Sequence, residues 1–102
     1  MNDEKIVLFA RLKVKKGTED ELKQAALAIV AASRSEEGCL NYDFHQSLED
    51  STIFTWHETW ANKAALDAHF AMPYFAELGA RVKDITDEPL QLILTKMVSE
   101  KA

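Results

Sequence analysis

Thiols are almost missing from this chain: Cys39 is the single cysteine in 102 residues. One thiol closes no intramolecular disulfide and builds no multi-thiolate metal site, so a reducing, cytoplasmic setting fits best. Long apolar runs are missing too. The longest, Ala25 to Ala32, is far short of the ~18 residues that mark a membrane span, and Met1 to Lys5 is polar and charged, with no sign of export or anchoring. Cations are in deficit, 12 Lys and Arg against 17 Asp and Glu for a net charge of −5, which excludes a general nucleic-acid surface. The local cluster Arg11, Lys13, Lys15 and Lys16 reads as the solvated end of a strand, with an anionic ligand as its other use. The chain also has no GxGxxG, no phosphate loop and no GxSxG elbow, and its three histidines lack a compact spacing such as HExxH. Neither a metal nor a flavin or nicotinamide cofactor is expected.

What is present is the composition of a globular protein. Hydrophobic residues make up 47% and charged residues 28%, with only three glycines and two prolines, unlike a disordered chain. No block of contrasting composition splits the sequence, so residues 1–102 read as one domain.

Ile6 to Val14 alternates, with Ile6, Leu8, Ala10, Leu12 and Val14 on one parity, and predicts a strand with one largely apolar face. Lys16-Gly17 ends it. Thr18 and Glu21 have the spacing of a capping box, and Leu22, Ala25, Ala26, Ile29, Val30 and Ser33 recur at helical intervals, predicting a helix to about Ser35. Gly38 is placed to take a positive φ after the last turn. Cys39 to Gln46 and Thr52 to Trp60, separated by the turn-like Leu48 to Ser51, read as a hairpin. Asn62 is placed to cap a helix carrying Leu66, His69 and Phe70, and Pro73 suits the first turn of another with Phe75, Leu78 and Val82. After a polar loop from Asp84 to Pro89, Leu90, Leu92 and Leu94 mark a last strand.

The order is therefore βαββαβ, an α+β, ferredoxin-like arrangement with an antiparallel sheet and helices on one face. Apolar residues stand at both parities of the strands, Val7 and Phe9 against Ile6 and Leu8 for example. Helices on one side cannot cover both faces, so a second copy packed sheet to sheet, a homodimer, is the simplest cover.

Chemistry-bearing side chains concentrate in the hairpin and the helix after it: Asn41, Tyr42, His45, Trp56, His57, Glu58, Trp60 and His69. Trp60 reads as a core anchor or a pocket wall, the two being compatible. Glu58, a carboxylate inside a strand pattern, is either exposed on an edge, held by a partner, or engaged with a substrate hydroxyl or a histidine. His69 falls on the apolar stripe of its helix and points inward, as a bonded core residue or as a general base whose ordinary pKa of ~6.5 lies near working pH. His45 and His57 stand on strands and read as surface or interface residues.

Glu37-Gly38-Cys39-Leu40-Asn41-Tyr42, then Glu58-Thr59-Trp60, then Ala65-Leu66 to His69, then Pro73 to Phe75 form an ordered series of motifs that resembles the antibiotic biosynthesis monooxygenase family over nearly the whole chain. The resemblance implies a dimeric α+β barrel whose pocket oxidises quinols or other hydroxyaromatic compounds with O2 and no prosthetic group. A deprotonated hydroxyaromatic is electron-rich enough to reduce O2 itself, so the protein need supply only a base, an aromatic clamp and a dry cavity. On that likeness His69 and Glu58 are the catalytic candidates, and Trp60, Tyr42, Phe75, Asn41 and His57 contact the substrate, a small aromatic or quinone-like molecule. Polyketide-quinone-forming members carry Asn and Tyr where this chain has Trp56 and Leu66, so those contacts do not transfer. The haem-degrading branch differs at Ala10, His69 and Leu78-Gly79. An isomerase or tautomerase of a small, phosphorylated or plain, carbonyl metabolite and a non-catalytic ligand-binding dimer are the alternatives.

Overall fold

The computed structural model describes residues 4–99; residues 1–3 of the polar amino-terminal segment lie outside it. Eight elements follow one another: β1 (Ile6–Val14), α1 (Glu19–Leu27), α2 (Val30–Arg34), β2 (Cys39–Gln46), β3 (Ile53–Trp60), α3 (Lys63–Phe70), α4 (Pro73–Val82) and β4 (Thr86–Thr95). The strands form one sheet in the order β2-β3-β1-β4, every neighbouring pair antiparallel. That is the ferredoxin-like α+β fold the alternation and element order predict.

Period-two geometry decides what each face carries. In β1 the parity of Leu8, Ala10, Leu12 and Val14 is buried, and its register partners Glu58, Trp56 and Phe54 in β3 share the face. Tyr42 and Phe44 extend it across β2, opposite Glu58 and Trp56. The helices close over this face with Leu22, Ala25 and Ala26 of α1, Leu66 of α3 and Val82 of α4. The opposite face is open. Phe9 is 46% exposed and Ile93 58% exposed there, among polar neighbours such as Arg11, Thr55 and Gln91.

Three local predictions need correction. The helix expected to run to about Ser35 is broken at Ala28–Ile29, where Ile29 adopts φ −106° and its N–H bonds back to Ala26. Consecutive β-branched Ile29 and Val30 resist helical packing, yet the buried stripe survives the break, since Ile29 and Ser33 stay inside. The capping box does not form: the Thr18 hydroxyl donates to the Lys15 carbonyl, and Glu19, not Glu21, accepts a backbone N–H, that of Gly17. Asp84 to Pro89 is not all loop, because β4 starts at Thr86 and Arg11 reaches across to Glu88 at 3.0 Å.

Other signals act as their chemistry dictates. Asn62 Oδ1 accepts the Ala65 N–H at 2.8 Å, capping α3, and Pro73 opens α4. Gly38 has φ +86°. A Cβ there would also stand 2.6 Å from the Ala65 Cβ, so glycine is what lets α3 approach the start of β2. Of the basic cluster, Arg11 pairs with Glu88, Lys13 lies 3.8 Å from Asp50 and Lys15 donates to a backbone carbonyl. No helix among the described residues is long and apolar enough to cross a membrane.

Candidate functional site

Between the helix-facing side of the sheet and the α3–α4 pair lies a cavity of about 240 Å³. Tyr42, Trp56 and Glu58 form its floor on β2 and β3, and Phe70, Phe75 and Leu78 its roof. Leu90 and Leu92 of β4 continue the wall to one side, where no helix among the described residues covers them and they stay about two-fifths exposed. The lining is apolar and aromatic apart from a few groups, the usual make-up of a small-molecule pocket.

Glu58 is the carboxylate of that lining. Strand alternation turns it inward between Trp56 and Trp60, and only 4% of it is exposed. Its Oε1 accepts the Trp60 indole N–H at 2.9 Å. Burial raises its pKa above the usual 4.5, while the Trp60 bond and the neighbouring His69 pull the other way and Glu36 adds a smaller upward push. Tyr42, paired with Glu58 across the strands, has its phenol held firmly protonated by burial and by the Glu58 charge.

His69 is brought close but not into the lining. The ring is 1% exposed and packed behind the wall, with centroids 4.7 Å from Trp60, 5.5 Å from Tyr42 and 5.4 Å from Phe75. Its Nδ1 lies 2.9 Å from Glu36 Oε2. The Tyr74 hydroxyl donates to the same oxygen, and burial together with that carboxylate pushes Tyr74 up to about 12. Trp60 is wholly buried behind Glu58, so it meets the cavity through that carboxylate rather than as a wall.

The structure therefore gathers Tyr42, Glu58 and Phe75 around one cavity, with Trp60 and His69 directly behind. Asn41 and His57 are not with them. They sit at the other parity, on the opposite face of the sheet, where the Asn41 amide donates to the His57 carbonyl at 2.8 Å and the His57 ring stacks on Phe9 at 5.1 Å. The alternation that turns Glu58 toward this cavity turns His57 away from it. Residues the sequence reading left out are Glu36, Tyr74 and, as a wall, Trp56. No local pattern marks Glu36, which meets His69 across 33 positions and Tyr74 across 38; Trp56, however, shares the parity of Glu58 and was open to inference. Among the described residues no three His, Cys, Asp or Glu side chains come together as a set for a metal ion.

The profile of the family described as antibiotic biosynthesis monooxygenase matches residues 5–81. An uncharacterised protein of Synechocystis is 34% identical over 95 residues, 93% of this chain, which spans 65% of that longer relative. A Bacillus subtilis protein named "putative monooxygenase YcnE" is 32% identical over 92 residues, covering 90% of this chain and 97% of that one. In three dimensions the crystal structure of PA3566 from Pseudomonas aeruginosa superposes with a TM-score of 0.89 at 27% identity, covering 97% of this chain and 99% of that one.

Proposed function

We propose, as this chain belongs to the antibiotic biosynthesis monooxygenase family, that it is a cofactor-independent monooxygenase of a quinol or related hydroxyaromatic, working as a cytoplasmic homodimer of one-domain subunits. The observation that carries the reading is Glu58, a carboxylate made more basic by burial and set in an aromatic cavity. A cavity of 240 Å³ exceeds the ~150 Å³ void that takes up benzene, so a single substituted ring is the size it suits.

The chemistry follows from that pairing. Glu58 takes the proton of the ring hydroxyl, and the Trp60 N–H keeps the carboxylate oriented. The phenolate passes electrons to O2, one oxygen atom bonds to a ring carbon, and the O–O bond breaks. The second oxygen leaves as water, made with the proton returned by Glu58 and the proton lost from the C–H bond of that ring carbon as it becomes a carbonyl. A 1,4-quinol thus gives a hydroxyquinone and water, and atoms and electrons balance with O2 as the only oxidant. Phe70, Phe75 and Trp56 clamp the ring and exclude water. His69, behind the wall, acts on Glu58 rather than on the substrate, so the general base of this reading is the carboxylate and not the histidine.

The homodimer reading is supported by the open sheet face with Phe9 and Ile93 and by the uncovered leucines of β4. The experiment for the chemistry is oxygen uptake with a panel of dihydroxybenzenes in the presence of a metal chelator. Uptake is expected, and Glu58→Gln should lower it by about 10²-fold or more. No uptake across the panel rejects the reading, and anaerobic consumption of a substrate would replace it with tautomerisation by the same base.

A further inference from the structure

Glu36 lies outside the cavity, on the loop between α2 and β2, yet its side chain is buried and engaged from two sides. Oε2 receives the Tyr74 hydroxyl and faces His69 Nδ1, while Oε1 is buried with no partner among the described residues. A buried carboxylate left half-satisfied is costly, and such a group calls for a reason. Its pairing also settles a tautomer. A carboxylate only accepts, so the hydrogen of the imidazole belongs on Nδ1, and any second proton must go to Nε2. From His69 the contacts continue through the Trp60 ring at 4.7 Å to the indole N–H that holds Glu58.

We propose that Glu36 is a positioning residue for the cavity chemistry: anchored by Tyr74, it holds the Nδ1–H of His69 and keeps the imidazole, with whatever positive charge it takes, directly behind Glu58. The proposal rests on the reading of Glu58 as the cavity base. Two carboxylates then flank one imidazole. Glu36 holds the Nδ1–H of the ring by direct hydrogen bond, and the ring pulls on Glu58 without bonding it. Glu36 also repels the Glu58 charge, but the pull of His69 on Glu58 exceeds this push. The remaining titratable groups around the pair are the Tyr42 phenol and Cys39 thiol of β2 and Tyr74 of α4, with Arg34 of α2 engaged by Asp43.

Glu36→Gln removes the carboxylate that holds the ring behind Glu58, so Glu58 loses the pull of His69, which outweighs the missing repulsion, and its titration midpoint rises. In the full-length chain labelled at glutamate carboxyl carbons, NMR follows Glu58 directly, its resonance identified by its loss in Glu58→Gln. We expect Glu36→Gln to raise the midpoint by about one pH unit, His69→Gln to do the same, and the double variant to do no more than either. Tyr74→Phe keeps the carboxylate but removes its anchor, so it should shift the midpoint upward by less than Glu36→Gln does; it carries the test alone if Glu36→Gln does not fold. An unmoved midpoint in Glu36→Gln, additive shifts in the double variant, or a downward shift in Tyr74→Phe overturns the proposal. Missing oxygen uptake with this coupling intact would instead remove the monooxygenase reading and leave the role of Glu36 standing.

Discussion

Glu58 ties the stability of the protein to the chemistry proposed for it. Its carboxyl is less acidic in the fold than the ordinary 4.5 because burial penalises the charge, so the native state holds its proton over a pH range in which the unfolded chain has released it. That contribution to stability is complete below 4.5 and is lost as pH rises through the higher native value. Urea-unfolding midpoints of the wild type should therefore fall over the range above 4.5, and Glu58→Gln should flatten that part of the profile; equal slopes would mean the carboxylate is not desolvated. Trp60→Phe tests the opposing influence. It keeps an aromatic ring, though a smaller one, and deletes the 2.9 Å bond to Oε1, which favours the ionised form. The acid limb of the rate profile should then move up by about 1 pH unit, the equivalent of one hydrogen bond to a charged group.

Among the elements, the α3–β2 junction depends most on one backbone position. Gly38 combines a positive φ with a neighbouring Ala65 Cβ that leaves no room for a methyl group, whereas Gly17 has a similar φ of +93° and open space around it. Gly17→Ala should cost about 1 kcal/mol, the left-handed penalty alone. Gly38→Ala must in addition push α3 off the sheet, and its cost should exceed that of Gly17→Ala by about 1 kcal/mol or more; equal denaturation midpoints would show that α3 yields freely. The position was legible in the sequence as a helix-terminating glycine, but the contact with Ala65 was not, because it joins residues 27 positions apart in the chain. The same divide runs through the other elements. Alternation in Ile6–Val14 and the caps at Asn62 and Pro73 are local signals and led directly to β1, α3 and α4. The break at Ala28–Ile29 and the early start of β4 depend on tertiary packing and on pairing with β1, which local pattern does not encode. Around the cavity, Glu58 and Tyr42 were named from the motif, while parity left open which face of the hairpin would line it. Glu36 was not, since its partners come from two distant helices.

At the scale of the whole molecule the sheet has one dressed face and one bare one. If a second copy covers the bare face, light scattering should give twice the chain mass at micromolar concentration, and Phe9→Asp should return a monomer that keeps its helical circular dichroism. A chain mass independent of concentration in the wild type would leave the apolar residues of that face without an occupant. Among the described residues the sheet also has two free edges, and β4, with its exposed leucines, is one of them. Such an edge is a template on which any extended chain can add another strand. Pro89 lies inside it, and proline offers no N–H to an incoming strand, so the row of donors is interrupted partway along the edge. The leucine-rich stretch is thereby limited as a seed for cross-β growth. Pro89→Thr would restore an unbroken row, and faster thioflavin-positive assembly on prolonged incubation is the outcome expected of it.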